Sequence, residues 1–369
     1  MEHDLDITEY YGEKELRWYQ VAAINAVCKY LLEGFLRICI NLPTGAGKTL
    51  TLAAALSHSG IRKALNVKGN RKLRVLFVAH NNRLLTQAEE TFIEESNVEV
   101  IIQSMFSDIP ADVLAAGWDV CVLDECHHEG CITFQYMLNK LGDIPIIGLT
   151  ATIDRADGCL IKFQKNVAPI TREEAVEQGF LARTNIHSFV DSSKRDKTDI
   201  VKDIIDTYGN QLGQTMVFLR TKIEVHAINQ YLNDLGYNSV AILEQTSTEV
   251  NTLLNAFSAG EVQFLVNCNK INEGVDVKGC TDVLLGRQFG SYPQLNQVIG
   301  RAARPDSECN VWELINPISG NNLDTTIIVG TPEQHRLLHK SQGVWLEKHF
   351  DYVSHNQGFS SGLQYPSGF

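Results

Sequence analysis

The segment from Arg37 to Gly60 constrains the fold of this chain more than any other. It reads RICINLPTGAGKTLTLAAALSHSG: a short apolar strand, a loop of small residues, and a helix that continues through Leu52 and Leu56. Small residues let backbone N–H groups turn towards an anion, and the N-terminus of the following helix also favours negative charge. The segment therefore predicts a phosphate-binding site, although Leu42 stands where the usual pattern has its first glycine.

The residues of this loop have separate expected roles. Lys48 is expected to reach the β- and γ-phosphates of a nucleotide, and the hydroxyl of Thr49 is expected to bind Mg²⁺. ATP and Mg²⁺ are therefore the expected cofactors. The residues expected to surround the phosphates are Thr44, Gly45, Ala46 and Gly47.

The sequence LRWYQ lies upstream of this loop, in a segment whose apolar residues recur at helical spacing. The predicted helix runs from Glu15 to Gly34, where a glycine is typical of a helix end. A glutamine amide can pair with both polar groups on one edge of an adenine. We therefore expect Gln20 to bind the base, with Arg17 beside it.

Two adjacent carboxylates follow another apolar stretch, in VCVLDECHH (120–128). Asp124 is expected to hold Mg²⁺ through water, and Glu125 to accept a proton from the attacking water. His127 is placed to sense the nucleotide. The alternative is an acidic turn at the surface with no chemical role.

Strand-like and helix-like segments alternate along the whole chain. This alternation predicts an α/β fold with mostly parallel sheets covered on both faces, in which sites gather at the carboxyl ends of the strands. The strand-like segments include RVLFVAH, VEVIIQ, WDVCVLDE, IPIIGLTAT, IHSFV, TMVFLR, SVAIL, QFLVNC and TDVLLG.

The net charge has the wrong sign for bulk attraction to a polyanion. The chain of 369 residues carries 32 basic and 44 acidic residues, a formal charge of −12. Any polyanion must therefore meet local basic patches. The best candidate is the run from Ile61 to Arg74, with six basic and no acidic residues. A nucleic-acid contact and a solvated loop are equally good interpretations of this run.

Composition also bears on location. The nine cysteines show no CxxC spacing, which is typical of free thiols in a reducing compartment. A zinc site formed by Cys121, Cys126 and Cys131 with His127 and His128 is disfavoured, because Cys121 falls in a strand-like segment. The acidic start MEHDLDITEY lacks the features of a secretory leader, and no apolar stretch reaches about eighteen residues. We expect an intracellular, cytoplasmic protein without membrane contact.

Four of these motifs in order, PTGAGKT, DECH, TAT (150–152) and QVIGRAAR (297–304), resemble motifs I, II, III and VI of superfamily 2 helicases and translocases. LRWYQ resembles the Q-motif region, and VNCNKINEGVDV (266–277) resembles motif V. The spelling DECH, TAT and EGVDV is more similar to the DNA-directed branch that includes XPB, type III restriction motors and the phage helicase UvsW than to DEAD-box RNA helicases.

The resemblance implies two tandem RecA-like domains. The boundaries expected from it are 1–180 for the ATP-binding domain with motifs Q to III, and 181–331 for the domain with motifs IV to VI. A short helix and a disordered tail are expected over 332–369. The polar stretch DSSKRDKTD (191–199) is interpreted as a solvated loop.

The resemblance also assigns residues in the second half of the chain. Arg301 and Arg304 are expected to stabilise charge on the γ-phosphate, and Gln297 lies one helical turn earlier on the same face. Gly274 allows close backbone approach, and Asp276 is expected to accept a hydrogen bond from the ribose.

VAHNNRLLTQ (78–87) resembles motif Ia and IIQSMF (101–106) resembles motif Ib, and both supply polar groups that can hold phosphates without reading bases. The motif spelling favours DNA, single-stranded or branched, bound without sequence specificity. An RNA helicase and a nucleotide-gated nucleic-acid clamp remain alternatives. The residues expected to contact nucleic acid are Asn81, Arg83, Gln87, Gln103 and Ser104.

The last residues, NQGFSSGLQYPSGF, are rich in glycine and serine with spaced aromatic residues, a composition typical of disorder. This tail could dock on a replication or recombination protein, or its aromatic residues could stack on exposed bases. The chain is expected to act as a monomer.

Overall fold

The chain folds into two compact units, Met1–Ala175 and Val176–Phe369. The computed structural model describes residues 10–12, 14–79, 97–104, 110–126, 139–151, 163–191, 195–268, 279–287, 289, 295, 298–300, 308–315 and 335–348. Each unit contains its own sheet with parallel strands and flanking helices, which confirms the predicted α/β class. In the described residues no helix is both long enough and apolar enough to span a membrane.

The first unit begins with a short antiparallel pair and continues into a six-stranded sheet. The strands are β1 (Tyr10–Tyr11), β2 (Lys14–Glu15), β3 (Arg37–Asn41), β4 (Leu73–Ala79), β5 (Val98–Ser104), β6 (Val120–Leu123), β7 (Ile146–Thr150) and β8 (Lys165–Val167). The order in the sheet is β5-β4-β6-β7-β3-β8, and all of these pairs are parallel. Strand β7 therefore lies between β3 and β6.

The helices of this unit cover the sheet with their apolar faces. The first helix buries Ile24, Val27, Cys28 and Leu31, as its spacing predicts. It packs on the next two helices and on β3 and β8. The helices are α1 (Trp18–Leu32), α2 (Lys48–Ser57), α3 (Ser59–Ala64), α4 (Ala111–Ala115) and α5 (Arg172–Glu177).

The second unit is an eight-stranded sheet in the order β11-β12-β10-β13-β14-β9-β15-β16. Apolar clusters cover both of its faces. Its strands are β9 (Thr184–Val190), β10 (Thr215–Phe218), β11 (Ser239–Ile242), β12 (Phe264–Asn267), β13 (Asp282–Leu285), β14 (Cys309–Ile315), β15 (His335–Ser341) and β16 (Val344–Lys348). Its helices are α6 (Lys197–Tyr208), α7 (Lys222–Asp234) and α8 (Ser247–Ser258).

The prediction of a helix within 332–369 is wrong for residues 335–348, which form the two strands β15 and β16. Strand β15 pairs in parallel with β9, and β16 returns antiparallel to it. The turn has two residues, Gln342 at φ 48° and Gly343 at φ 82°. Positive φ at both central positions is the feature of a type I′ hairpin turn, which matches the twist of the strands.

The solvated loop predicted for 191–199 is also wrong at its carboxyl end, where α6 begins at Lys197. The side chain of Asp196 accepts a hydrogen bond from the N–H of Thr198 at 2.8 Å and caps the helix. Arg195 is fixed as well, by ion pairs to Asp191 and Asp203. The polar residues of this stretch therefore start a helix.

Candidate nucleotide site

The glycine loop follows β3 as predicted and leads into α2 at Lys48. Gly45 and Gly47 adopt φ values of 87° and 83°, which side chains rarely tolerate. The N–H of Ala46 donates to the carbonyl of Pro43 at 3.0 Å and tightens the turn. Leu42 is fully buried, and its N–H donates to the carbonyl of Thr150 in β7, so this position serves the core of the sheet.

The loop rests on the first turn of α1. The hydroxyl of Tyr19, which is fully buried, donates to the carbonyl of Ala46 at 3.0 Å. Tyr19 was not identified from the sequence, where its only signal is its place next to Gln20 in LRWYQ. A buried tyrosine needs a partner for its hydroxyl, and here that partner is the phosphate loop.

Gln20 is only 2% exposed, and both ends of its amide contact protein groups. Its Oε1 accepts from the N–H of Arg17 at 2.9 Å, and its Nε2 lies 3.5 Å from the carbonyl of Ala46 and 3.4 Å from that of Gly47. Arg17 in turn donates to the hydroxyl of Tyr19 at 3.0 Å. These residues form one network beneath the loop, and base recognition by Gln20 and Arg17 stays a prediction.

Thr44 shows that the loop suits a polar ligand. Its Oγ1 is buried and has no hydrogen-bond partner among the described residues. Unpaired buried hydroxyls are costly, and a phosphate oxygen would satisfy this one. Lys48 and Thr49 are partly exposed in the first turn of α2, where an ammonium group and a hydroxyl can reach a phosphate and its Mg²⁺. These residues fit MgATP.

The acidic pair lies in a turn directly after β6, at the same edge of the sheet as the loop. Asp124 is 8% exposed, and its N–H donates to the carbonyl of Val78 at 2.9 Å. Its Oδ1 accepts from the N–H of Glu125 at 3.0 Å, which fixes the carboxylate. Glu125 adopts φ 48°, an uncommon conformation for a residue with a side chain.

The cysteines next to this turn are buried, in agreement with the prediction that Cys121 belongs to a strand. Cys121 lies in β6 and Cys126 follows the acidic pair, and burial raises the pKa of both thiols. Buried thiols with a raised pKa are typical of structural cysteines. Cys131, His127 and His128 lie outside the described residues.

The basic run from Ile61 to Arg74 is partly committed to the fold. Arg71 makes two bonds of 2.6 Å to the carboxylate of Asp119. Arg74 stacks on Trp118, and Arg62 donates to the carbonyls of Asn97 and Arg71. The lysines of the run, Lys63, Lys68 and Lys72, are exposed, so a contact with a polyanion would fall on them.

The remaining predicted residues divide into two groups. Gln103 and Ser104 end β5, an edge strand, and are partly buried. The others lie outside the described residues: His127, Asn81, Arg83, Gln87, Gly274, Asp276, Gln297, Arg301 and Arg304. The same holds for the tail after residue 348.

Two family models match the chain. Residues 13–109 match the type III restriction enzyme res subunit, and residues 196–306 match the helicase conserved C-terminal domain. The chain is 24% identical over 375 residues to the Saccharomyces cerevisiae protein described as ATP-dependent helicase IRC3, covering 87% of this chain and 54% of that protein. It is 26% identical over 330 residues to the DNA 3'-5' helicase XPB of Mycobacterium tuberculosis, covering 77% and 58%.

The fold has a counterpart among solved structures. A fragment from Vibrio vulnificus described as an HsdR subunit of a type I restriction enzyme matches with a TM-score of 0.68 at 20% identity, covering 89% of this chain and 70% of that one. Together with the glycine loop and the acidic turn, these matches agree with the expected class: the chain is similar to superfamily 2 helicases and translocases, and its fold is similar to that of the restriction-enzyme subunit. The chain spans a little over half the length of the two relatives named here.

Proposed function

We propose that this chain is a DNA-stimulated ATPase that translocates on or unwinds DNA without sequence specificity and favours branched or forked substrates. The observation that carries the proposal is the edge of the first sheet. There, a glycine loop and an acidic turn follow the two strands that flank β7, and the buried hydroxyl of Thr44 in the loop has no hydrogen-bond partner in the described part of the chain. Nucleotide binding and proton transfer need these two elements at one edge.

Each residue has a defined part in this chemistry. Bound MgATP supplies the γ-phosphate that water attacks. Lys48 offsets the charge of the phosphates, and Thr49 and Asp124 hold the metal. Glu125 accepts the proton of the water, which makes the water a better nucleophile. Arg301 and Arg304 keep their predicted role: they stabilise the charge that develops as the bond between the γ-phosphorus and the oxygen of ADP breaks.

The preference for DNA is supported by the motif spelling and by the mycobacterial relative, which is described as a DNA 3'-5' helicase. Contacts made mainly to phosphates would be independent of sequence and weaken steeply with salt. An RNA helicase would share the whole nucleotide site, so the nucleotide site alone does not separate the two.

The test is steady-state ATP hydrolysis measured in parallel with no polynucleotide, single-stranded DNA, forked DNA and RNA at matched nucleotide concentration. We expect DNA, and forks above single strands, to raise the rate well above the value with RNA. Equal stimulation by RNA would overturn the DNA assignment. A rate that no polynucleotide changes would overturn the motor and favour a nucleotide-gated clamp.

A further inference from the structure

Gly148 lies at the centre of the strands that carry the nucleotide site. In the sheet register it is the partner of Cys39 on β3 and of Leu123 on β6. Strand β3 leads into the glycine loop, and β6 leads into the acidic turn. A side chain at position 148 would therefore lie on one face of the sheet, on the strand between the two that lead into the site.

The space left by this glycine is filled by the ring of Phe163 and by the side chain of Cys126, the residue after the acidic pair. A Cβ atom at position 148 would lie 2.7 Å from the Sγ of Cys126 and 2.6 Å from the Cζ of Phe163, closer than real Cβ contacts. The Sγ of Cys126 lies 3.6 Å from the Sγ of Cys39. Both cysteines are buried, at 0% and 1% exposure. The sulfur of Cys126 thus lies next to Gly148 in β7 and contacts the sulfur of Cys39 in β3.

This contact bears on Glu125 because Cys126 is the next residue. The backbone of Glu125 is left-handed, a conformation that costs about 1–3 kcal/mol and persists only where its surroundings fix it. On one side of the turn, Asp124 bonds to the carbonyl of Val78 and accepts from the N–H of Glu125. On the other side, the buried side chain of Cys126 holds the chain against β7 and β3.

We propose that Cys126 is a positioning residue for Glu125, and that Gly148 is kept free of a side chain so that Cys126 can hold the left-handed turn. The inference rests on the proposed role of Glu125 as the proton acceptor. It predicts a specific kinetic effect: displacing Cys126 changes the direction of the carboxylate and lowers kcat. The KM for ATP changes little, because Lys48 and Thr49 hold the nucleotide.

The test compares Gly148→Ala, Cys126→Ala and the double variant with the wild-type chain. Gly148→Ala should push Cys126 away, and a displacement of about 1 Å at a reacting group can cost on the order of 100-fold in rate. Cys126→Ala should lower kcat by a smaller factor. In the double variant the methyl group added at position 148 no longer meets the sulfur, and only the ring of Phe163 has to turn aside. The kcat should therefore recover towards that of Cys126→Ala.

Cys121→Ala is the matched control. Cys121 is equally buried in β6, but it is not among the nearest neighbours of a Cβ at position 148. Its substitution should leave kcat unchanged. Binding of a fluorescent ADP analogue and circular dichroism report whether the site and the fold persist. If Gly148→Ala does not fold, the comparison of Cys126→Ala with Cys121→Ala decides the matter.

Three results would overturn the inference: an unchanged kcat in folded Gly148→Ala, a double variant no faster than Gly148→Ala, or equal effects of the two cysteine variants. A wild-type chain without ATPase activity under any condition, or a Glu125→Gln variant with full activity, would instead overturn the proposed function itself.

Discussion

Gly47→Ala isolates the contact between the phosphate loop and the helix beneath it. The added Cβ would lie 2.7 Å from the Nε2 of Gln20, whereas ordinary contact begins at 3.4 Å. Gln20 would have to retreat by several tenths of an ångström and give up its contacts with the carbonyls of Ala46 and Gly47. The variant should therefore weaken both the stability of the first unit and nucleotide binding.

The magnitude has two parts. The left-handed conformation costs alanine about 1–2 kcal/mol, partly offset by about 0.4–1 kcal/mol because alanine restricts the unfolded chain. Gly69→Ala shares this part, since Gly69 has φ 64° and open space where its Cβ would be. Losing the two long hydrogen bonds of Gln20 adds about 1–3 kcal/mol. The difference in free energy of unfolding between Gly47→Ala and Gly69→Ala should therefore equal the contribution of the lost hydrogen bonds of Gln20.

Hydrogen exchange followed by mass spectrometry can measure this difference unit by unit. Peptides from β3 and α2 should lose more protection in Gly47→Ala than in Gly69→Ala, and peptides from the second unit should match the wild type. Equal protection in the two variants would refute the reasoning that Gln20 supports the loop.

Two further predictions concern buried and half-buried carboxylates. Burial raises the pKa of Asp119, but hydrogen bonds from Arg71 and from the N–H of Arg74 outweigh burial and hold the pKa below its usual value. The first unit should therefore lose stability as pH falls below about 4. Asp119→Asn should flatten this acid dependence in hydrogen exchange, whereas Asp112→Asn, at an exposed position, should not. The carboxylate of Asp282 accepts hydrogen bonds from Trp312 Nε1 at 2.8 Å and from the N–H of Gly213 at 3.0 Å, and the residue is 1% exposed. Asp282→Ala should lower the free energy of unfolding of the second unit by about 2–3 kcal/mol in urea unfolding, and Asp234→Ala, at an exposed position, by a few tenths. Equal losses of stability in the two variants would contradict this prediction.

The strands and the loop of the first unit could be predicted because their signals are local. An apolar strand, small residues and a helix in that order leave few alternatives, and the structure places them within a few residues of the predicted bounds. The acidic turn after β6 was found in the same way, from a strand that ends in two carboxylates.

The contacts that hold the phosphate loop and the acidic turn in place could not be predicted, because they join segments that lie far apart in the sequence. Tyr19 and Ala46 lie 27 positions apart, and Cys39 and Cys126 lie 87 apart. The left-handed backbone of Glu125 has no signature in its own residue type, since glycine and asparagine are the usual occupants of such positions.

Two predictions are wrong although local signals against them are present in the sequence. Gln342 and Gly343 form a two-residue turn ending in glycine, and the segment Val344–Lys348 after them begins with a valine and a tryptophan, residues common in strands, which indicates a hairpin and not the predicted helix. Asp196 is a common helix cap, and apolar residues recur at helical spacing from Ile200 to Ile205, which indicates a helix start within the predicted loop.

The central claim is that Glu125 activates water for ATP hydrolysis at a site held by Lys48. The most direct measurement is a single experiment on three proteins, wild type, Glu125→Gln and Lys48→Ala, with ATP binding and DNA-stimulated turnover recorded together. We predict that Glu125→Gln binds ATP and DNA normally while turnover falls by about 10²–10⁴-fold, and that Lys48→Ala loses ATP binding. Undiminished turnover in Glu125→Gln would contradict the claim.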